Sequence, residues 1–332
     1  GSSGARLAED RSFALPVTFG VLWALFLVNF FGLKAAKWVS GFGGLFIFIT
    51  AGALAILAVL SAMRAGIATR FELLPSPRLD TINFWSQIAF AFVGLELAPV
   101  MSGEIRNPRR DLWRAAVIAG LVCALFYIAG TAALLVLLPP DAVSPITGLA
   151  QAGATAATVL GHPSIAILFA ALIAAGTIGQ LSTWLTGNTR LPYAIGLDRY
   201  LPAAFARVHP RWGTPYVALF VQVLLASIFL LMSQLGETVR AAYQIMVDMT
   251  VIVTLIPFLY IFGSGLRFAN RLAAVSGLAV TLVAIIFSAL PIAGAASVSI
   301  FEAKILGGCL LVAVLGLVIF GRCAARRRPQ QA

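Results

Sequence analysis

Residues 115–138, AAVIAGLVCALFYIAGTAALLVLL, form a run of 24 residues without a charged side chain. At about 1.5 Å per residue, a helix of this length extends about 36 Å, which exceeds the roughly 30 Å hydrocarbon core of a bilayer. The apolar residues are continuous, whereas strands of a membrane barrel alternate and buried strands are shorter. The run therefore predicts a transmembrane helix.

The rest of the chain has the same character. Hydrophobic residues make up 61% of the 332 residues and charged residues only 11%. A soluble domain carries about 25% charged residues, so a water-soluble helical core is disfavoured. We predict an all-α, polytopic membrane protein with about nine transmembrane helices. The predicted spans are Phe13–Leu33, Trp38–Met63, Thr81–Gly103, Ala115–Leu138, Ser164–Thr189, Trp212–Gly236, Ala241–Leu266, Leu272–Phe301 and Ile305–Gly321.

The net charge of +11 is distributed unevenly between the predicted loops. Alternate loops hold 16 of the 23 basic residues, which is the bias expected for cytoplasmic loops. The charge therefore indicates topology in an inner membrane and not a nucleic-acid partner. An odd number of spans places the N-terminus of this chain outside and its C-terminus in the cytoplasm. Because no signal-peptide pattern opens the chain, we expect an odd number of further helices upstream.

The sequence contains no recognisable catalytic or metal-binding motif. Cys123, Cys309 and Cys323 lack the CxxC spacing of a metal cluster, and His162 and His209 are isolated. The GxSxG, HExxH and GxxxxGK[ST] patterns are missing as well. We therefore expect no metal, no cofactor, no enzymatic activity and no nucleotide-driven pump.

Two acidic residues lie within predicted spans, where a charged side chain is costly and often functional. Glu96 is bracketed by Gly94 and Pro99, both of which weaken a regular helix. Irregular backbone is tolerated in a membrane where it lines a cavity or is buried in protein. For Glu96 and Asp248 alike, the alternatives are a role in transport and a structural role in an interhelical hydrogen bond or a water-filled vestibule.

Two predicted cytoplasmic segments have distinctive local patterns. In EIRNPRRDLWRA, residues 104–115, Asn107 suits a helix N-cap, Pro108 the first helical position and Asp111 the first turn. The segment 190–215 mixes arginine with leucine, tyrosine and phenylalanine. It predicts either a short amphipathic helix at the membrane surface or a structured loop that anchors two helices.

Three of these stretches resemble the amino acid–polyamine–organocation (APC) superfamily of permeases. They are FAFVGLELAPVMSGEIRNPRRDLWRA at 90–115, NTRLPYAIGLDRYLPAAFARVHPRWGTPYVAL at 188–219 and AYQIMVDMTVIVTLIPFLYIF at 242–262. NFFGLKAAKWV at 29–39 fits the same pattern. The resemblance covers more than half of the chain in order.

The resemblance implies a transporter fold of two inverted five-helix repeats followed by two C-terminal helices. In that register the Glu96 helix is the sixth, so this chain begins at the fourth helix and three helices precede it. The single transmembrane domain 1–332 would then comprise two helices of the first repeat at 13–63, the second repeat at 81–266 and the C-terminal pair at 272–321.

The resemblance also implies a substrate site in the unwound middle of the sixth helix. Phe90 would be the aromatic gate, with Ala91 beside it, and backbone carbonyls near Phe90 and Val93 would bind the substrate amino group. Gly94 would permit the unwinding. Glu96 is similar to an acid used for proton coupling or communication between helices, and Asp248 is a second candidate for coupling or gating. Trp184 resembles an aromatic residue that shapes the side-chain pocket.

The expected function is secondary transport of amino acids or related amines by alternating access. The expected partners are a small-molecule substrate such as an amino acid or polyamine, a coupling proton or sodium ion or a counter-substrate, and the lipid bilayer. Ser182 and Thr183 would either bind sodium or form hydrogen bonds across a helix interface. The alternatives are a non-transporting scaffold or sensor with a permease fold, or an inactive fragment of a transporter.

Overall fold

A computed structural model of the chain describes residue 7 and residues 10–71, 86–94, 105–234, 239–268, 270–288 and 298–327. The described residues are helical, with short 3₁₀ turns at Pro140–Ala142 and Ala203–Ala206. We number the long helices in chain order. They are α1 (Arg11–Phe30), α2 (Leu33–Ala65), α3 (Pro108–Leu137), α4 (Gly148–Leu160), α5 (Ser164–Leu197), α6 (Tyr216–Gln234), α7 (Val239–Phe268), α8 (Arg271–Ser288) and α9 (Val298–Arg327).

Seven helices among the described residues are long and apolar enough to cross a membrane, namely α1, α2, α3, α5, α7, α8 and α9. In the most apolar 18-residue stretch of each helix, only 11% to 28% is buried. The large aliphatic side chains therefore face outward, as with Ile128 (68% exposed) and Ile167 (73% exposed). Such a surface is suited to hydrocarbon, so the prediction of an all-α, polytopic membrane protein is confirmed.

The two remaining predicted spans have different outcomes. The span Trp212–Gly236 corresponds to α6, whose apolar part, Tyr216–Met232, is shorter than the other seven. The span Thr81–Gly103 lies mostly outside the described residues, which include only 86–94 of it.

Capping residues predicted a helix start correctly, whereas a pair of charged residues did not. The predicted start of α3 at Pro108 is confirmed, and Asp111 lies in its first turn. The boundary predicted between Phe301 and Ile305 is wrong, because α9 already begins at Val298 and continues for 30 residues. Glu302 and Lys304 lie inside this helix, since a charged side chain at a membrane interface can extend toward water without interrupting the backbone.

The segment after α5 is a structured loop. Helix α5 itself continues to Leu197, and residues 198–215 contain a 3₁₀ turn at Ala203–Ala206 instead of an amphipathic α-helix. A Cβ at Gly196 would lie 2.9 Å from the Cβ of Phe205, which shows how closely the turn packs on the end of α5. Of the two interpretations of this segment, the anchoring loop is correct.

The helices divide into two compact units, each with its own packing. The first unit contains Gly1–Glu72, Leu121–Ile228 and Cys323–Ala332, and the second contains Leu73–Gly120 and Phe229–Arg322. In the first unit, α2 and α5 pack at a close crossing where a Cβ on Gly43 would overlap the Cα of Gly179. Glycine permits this approach of two helix backbones, as is common in membrane interiors.

The N-terminus of α1 has a side-chain cap. The Asp10 carboxylate accepts hydrogen bonds from the backbone N–H of Ser12 at 2.9 Å and from its hydroxyl at 2.6 Å. These two bonds favour the ionised carboxylate and hold the pKa of Asp10 below its ordinary value. The cap fixes where α1 begins, ahead of the apolar residues that follow.

Candidate functional site

In the second unit the backbone departs from helical geometry within the segment 86–94, and we call this departure the helix break. Residues 86–90 are helical and residues 91–94 form a turn. The Val93 N–H donates to the carbonyl of Phe90 at 2.9 Å. This bond joins residues three apart, whereas the bonds of an α-helix join residues four apart. Gly94 then adopts φ +112°, a backbone conformation that is strained for residues with a Cβ and accessible to glycine. The backbone therefore leaves the helical path within the stretch from Phe90 to Gly94.

One side of this segment packs against α7 and α8. Ala89, Phe90 and Val93 lie against a cluster formed by two buried residues of α7, Val251 and Leu255, and one of α8, Ala284. Ala284 is 2% exposed, and Val251 has no exposed surface. The helix break is thus held on an apolar support built from both helices.

Asp248 lies on α7 beside this support and is fully buried. The side-chain amide of Gln244, one turn earlier, donates to its two carboxylate oxygens at 3.1 and 3.2 Å. The hydroxyl of Ser288, the last residue of α8, lies 3.4 Å from Oδ1 and 3.3 Å from the backbone carbonyl of Asp248. Both of these groups are neutral donors, so they stabilise the carboxylate without supplying a compensating charge.

A second polar cluster connects α1, α5 and α6 within the first unit. Asn29 of α1 donates from Nδ2 to the hydroxyl of Ser182 at 3.2 Å and accepts from the hydroxyl of Thr186 at 2.5 Å. Further along α5, the Thr189 hydroxyl lies 2.7 Å from Oε1 of Gln222 on α6. A cavity of about 160 Å³ adjoins this cluster, with Asn29 and Thr189 among its lining residues.

The two hydroxyls considered for sodium are both engaged within the protein. Ser182 is fully buried and accepts the bond from Asn29. Thr183 is exposed and donates to the carbonyl of Gly179 in its own helix at 3.0 Å. The geometry favours hydrogen bonding at a helix interface for Ser182 and bonding to the backbone of its own helix for Thr183.

Comparison with known families decides the identity of the chain. The family profile described as "Amino acid permease" matches residues 4–302. The chain belongs to the amino acid permease family. The resemblance to APC superfamily permeases at residues 90–115, 188–219 and 242–262 is thereby confirmed.

Three curated relatives are similar to this permease. A transporter of uncharacterised function from Legionella pneumophila is 24% identical over 79% of this chain and 57% of its own length. A probable agmatine/putrescine antiporter from Lactococcus lactis is 23% identical over 70% of this chain and 50% of its own. Another uncharacterised transporter, from Mycobacterium bovis, is 29% identical over 62% of this chain and 46% of its own length. The chain thus spans about half the length of the curated relatives it matches.

The predicted site residues of the permease fall in two places. Phe90, Val93 and Gly94 lie at the helix break of the second unit, and Asp248 lies in the same unit on the helix that supports the break. Ala91 is the first residue of the turn and is half-buried. Glu96 lies outside the described residues. Their roles in substrate binding and coupling stay predictions.

Trp184, the remaining predicted site residue, lies in the first unit of the permease. It is half-buried on α5, between the positions of Ser182 and Thr186, whose side chains bond to Asn29. Its role in shaping a side-chain pocket stays a prediction.

Sequence reasoning missed the partners of Asp248. Gln244 could have been found, because residues four apart on a helix lie on the same face and an amide there can reach a carboxylate. Ser288 could not, since it is 40 positions away and meets Asp248 only through the packing of α7 on α8. The bond from Ser288 places Asp248 in an interhelical contact, and a role of this acid in transport stays a prediction.

Proposed function

We propose that this permease carries out secondary transport of amino acids or related amines by alternating access, with the substrate bound at the helix break around Phe90–Gly94. The observation that carries the proposal is the departure from helical geometry between Phe90 and Gly94, packed on the helix that bears the buried Asp248. Broken helices within membrane transporters provide backbone groups for the charged ends of substrates.

The chemistry of the break suits an amine. The Phe90 carbonyl accepts one hydrogen bond from Val93 and retains a second lone pair for a substrate N–H. The ring of Phe90 can contribute a cation–π contact to the same ammonium group. The name of the Lactococcus lactis relative, a probable agmatine/putrescine antiporter, supports an amine-bearing substrate.

Asp248 is our candidate for coupling or gating, together with Glu96. A carboxylate at membrane depth is costly to bury and can bind a proton, which makes the fully buried Asp248 a candidate proton carrier. We propose proton coupling through Asp248, with sodium coupling through Ser182 and Thr183 as the alternative, because a hydroxyl that bonds to a protein group still has a lone pair for a cation. The arginine-rich loops favour a location in the cytoplasmic membrane with the C-terminus inside.

The full-length protein in proteoliposomes tests this proposal. Uptake and exchange of labelled amino acids, agmatine and putrescine are measured under an imposed proton gradient and, separately, a sodium gradient. We expect accumulation or exchange of at least one amine-bearing substrate, driven by the proton gradient. Folded protein that moves no member of the panel would overturn the proposal and favour a non-transporting scaffold or sensor.

The role of Asp248 is tested in the same assay with Asp248→Asn, which preserves shape and removes the titrating group. We expect transport to lose its dependence on the proton gradient. Glu302→Gln is the matched control, because Glu302 lies near the start of the apolar part of α9 and is partly exposed. Equal proton dependence in both variants would reject Asp248 as the coupling acid while leaving the transport activity itself intact.

A further inference from the structure

A large apolar groove in the second unit lies between α7 and α9 and extends to the end of α6. Its volume is about 740 Å³, within the range of cavities that hold a whole small ligand. Helices α7 and α9 contact each other beside the groove, where the Sγ of Cys309 lies 3.9 Å from the backbone carbonyl of Met249. Ile245 and Ile305, each one turn before that contact, are fully buried in the same apolar cluster.

The walls of the groove are apolar and adaptable. Met232, Met246 and Met249 contribute flexible thioether side chains, which fit irregular apolar shapes. Gly307 on α9 leaves space at the groove, since a Cβ added to this residue would have no other atom within 4 Å. The groove therefore presents a deformable hydrocarbon-like surface instead of a rigid polar pocket.

One cation marks the end of the groove nearest the start of α9. Lys304 lines the groove and lies two residues inside the apolar part of that helix, Glu302–Ala325. Glu302 does not line the groove, because a separation of two residues places it about 160° around the helix from Lys304. Lys304 also interacts within the protein, and its ammonium group carries three N–H donors.

The distances correspond to one leaflet of a bilayer. The groove follows α9 from Ala303 to Val312, which is about 13 Å of helix. Half of the hydrocarbon core is about 15 Å thick. A cation at the interfacial end and an apolar channel of this depth match the shape of a phospholipid, with a charged headgroup above an acyl chain.

We propose that this groove binds an anionic phospholipid, with an acyl chain between α7 and α9 and the headgroup phosphate at Lys304. The site lies in the leaflet opposite the arginine-rich C-terminal end of α9. A basic residue near the surface contributes about 1 kcal/mol to binding an anionic lipid, which corresponds to about a fivefold preference. This proposal is independent of the substrate and of the transport cycle.

Native mass spectrometry of the purified chain with added palmitoyl-oleoyl phosphatidylglycerol or phosphatidylcholine tests the site. We expect one retained lipid, with phosphatidylglycerol preferred about fivefold. Gly307→Leu fills the groove and should remove the retained lipid of either kind. Gly316→Leu is the matched control, because it makes the same change on α9 outside the groove at a position that also has no atom within 4 Å.

Lys304→Gln tests the headgroup contact separately and leaves the groove walls unchanged. We expect phosphatidylcholine retention to be unaffected and the preference for phosphatidylglycerol to disappear. Equal lipid retention in the Gly307→Leu and Gly316→Leu proteins, with both folded, would overturn the proposed groove. A fivefold preference that persists in Lys304→Gln would overturn the proposed headgroup site.

Discussion

The hydroxyl of Ser288 at the end of α8 contacts the Asp248 carboxylate of α7 at 3.4 Å, and neither residue has exposed surface. This contact joins two membrane helices through a buried acid. It also lies in the unit whose apolar cluster supports the helix break at Phe90. A change in the protonation of Asp248 would alter one of the two contacts of Ser288, the other being with the Asp248 backbone carbonyl at 3.3 Å.

Removal of this contact should weaken the second unit. Interhelical hydrogen bonds in membranes contribute about 0.6 kcal/mol on average and up to about 1.7 kcal/mol. We expect Ser288→Ala to lower the free energy of unfolding by about that range, measured by SDS titration in mixed micelles. Ser276→Ala on the same helix removes only a local bond to the Ala273 carbonyl and is the control. Equal effects of the two changes would show that the Ser288 contact is not stabilising.

The positive φ of Gly94 predicts a second result. Alanine at φ +112° is strained by about 1–3 kcal/mol, so Gly94→Ala should destabilise the break or straighten it. We expect lower thermal stability together with weaker substrate binding, measured by thermal shift with and without substrate. Gly263→Ala is the control, because Gly263 lies in helix α7 with open space around a Cβ. A Gly94→Ala protein with normal stability and binding would be inconsistent with a functional break.

The crossing of α2 and α5 allows a comparison between neighbouring glycines. A Cβ on Gly43 would overlap the backbone of Gly179, whereas one on Gly44 would have no atom within 4 Å. Overpacking of a tight interface costs about 1–3 kcal/mol. We expect Gly43→Ala to lower the unfolding free energy by about this amount and Gly44→Ala to leave it unchanged or raise it. The reverse order would contradict the observed helix register.

Asn29 should be important for the first unit. Replacement by alanine leaves Ser182 and Thr186 without their partner across the interface, at a cost of about 1–3 kcal/mol. Thr18→Ala on the same helix removes only an exposed bond to the Ala14 carbonyl. Unfolding in detergent, followed by tryptophan fluorescence, compares the two. An Asn29→Ala protein as stable as the Thr18→Ala protein would show that the cluster is not a stabilising network.

The sequence was sufficient for those features that depend on the length and continuity of apolar runs. Seven predicted spans correspond to helices long enough to cross a membrane, because an uncharged run of 20 or more residues has few alternatives. The start of α3 was also predictable, since Asn107 and Pro108 form a local signal that depends on no distant residue.

Features that depend on neighbouring helices or on subtle boundaries were not predictable in the same way. Helix α4 has only 13 residues and lies in an uncharged tract, so no charge marked its ends. Its C-terminus is instead set by Gly161 at φ +74°, a left-handed cap that the sequence alone suggests only weakly. The Gly43–Gly179 crossing and the Ser288–Asp248 contact need the three-dimensional packing, because many glycines and serines in membrane helices have no such partner.

Substrate binding at the break around Phe90–Gly94 can be measured by comparing two phenylalanines. Phe90 packs at the break, whereas Phe92 is 39% exposed and serves as the matched control. Phe90→Leu and Phe92→Leu are compared by titrating the full-length protein with whichever substrate it transports. Loss of a cation–π contact predicts about tenfold weaker binding for Phe90→Leu and unchanged binding for Phe92→Leu. Unchanged affinity in a folded Phe90→Leu protein would contradict substrate binding at the break.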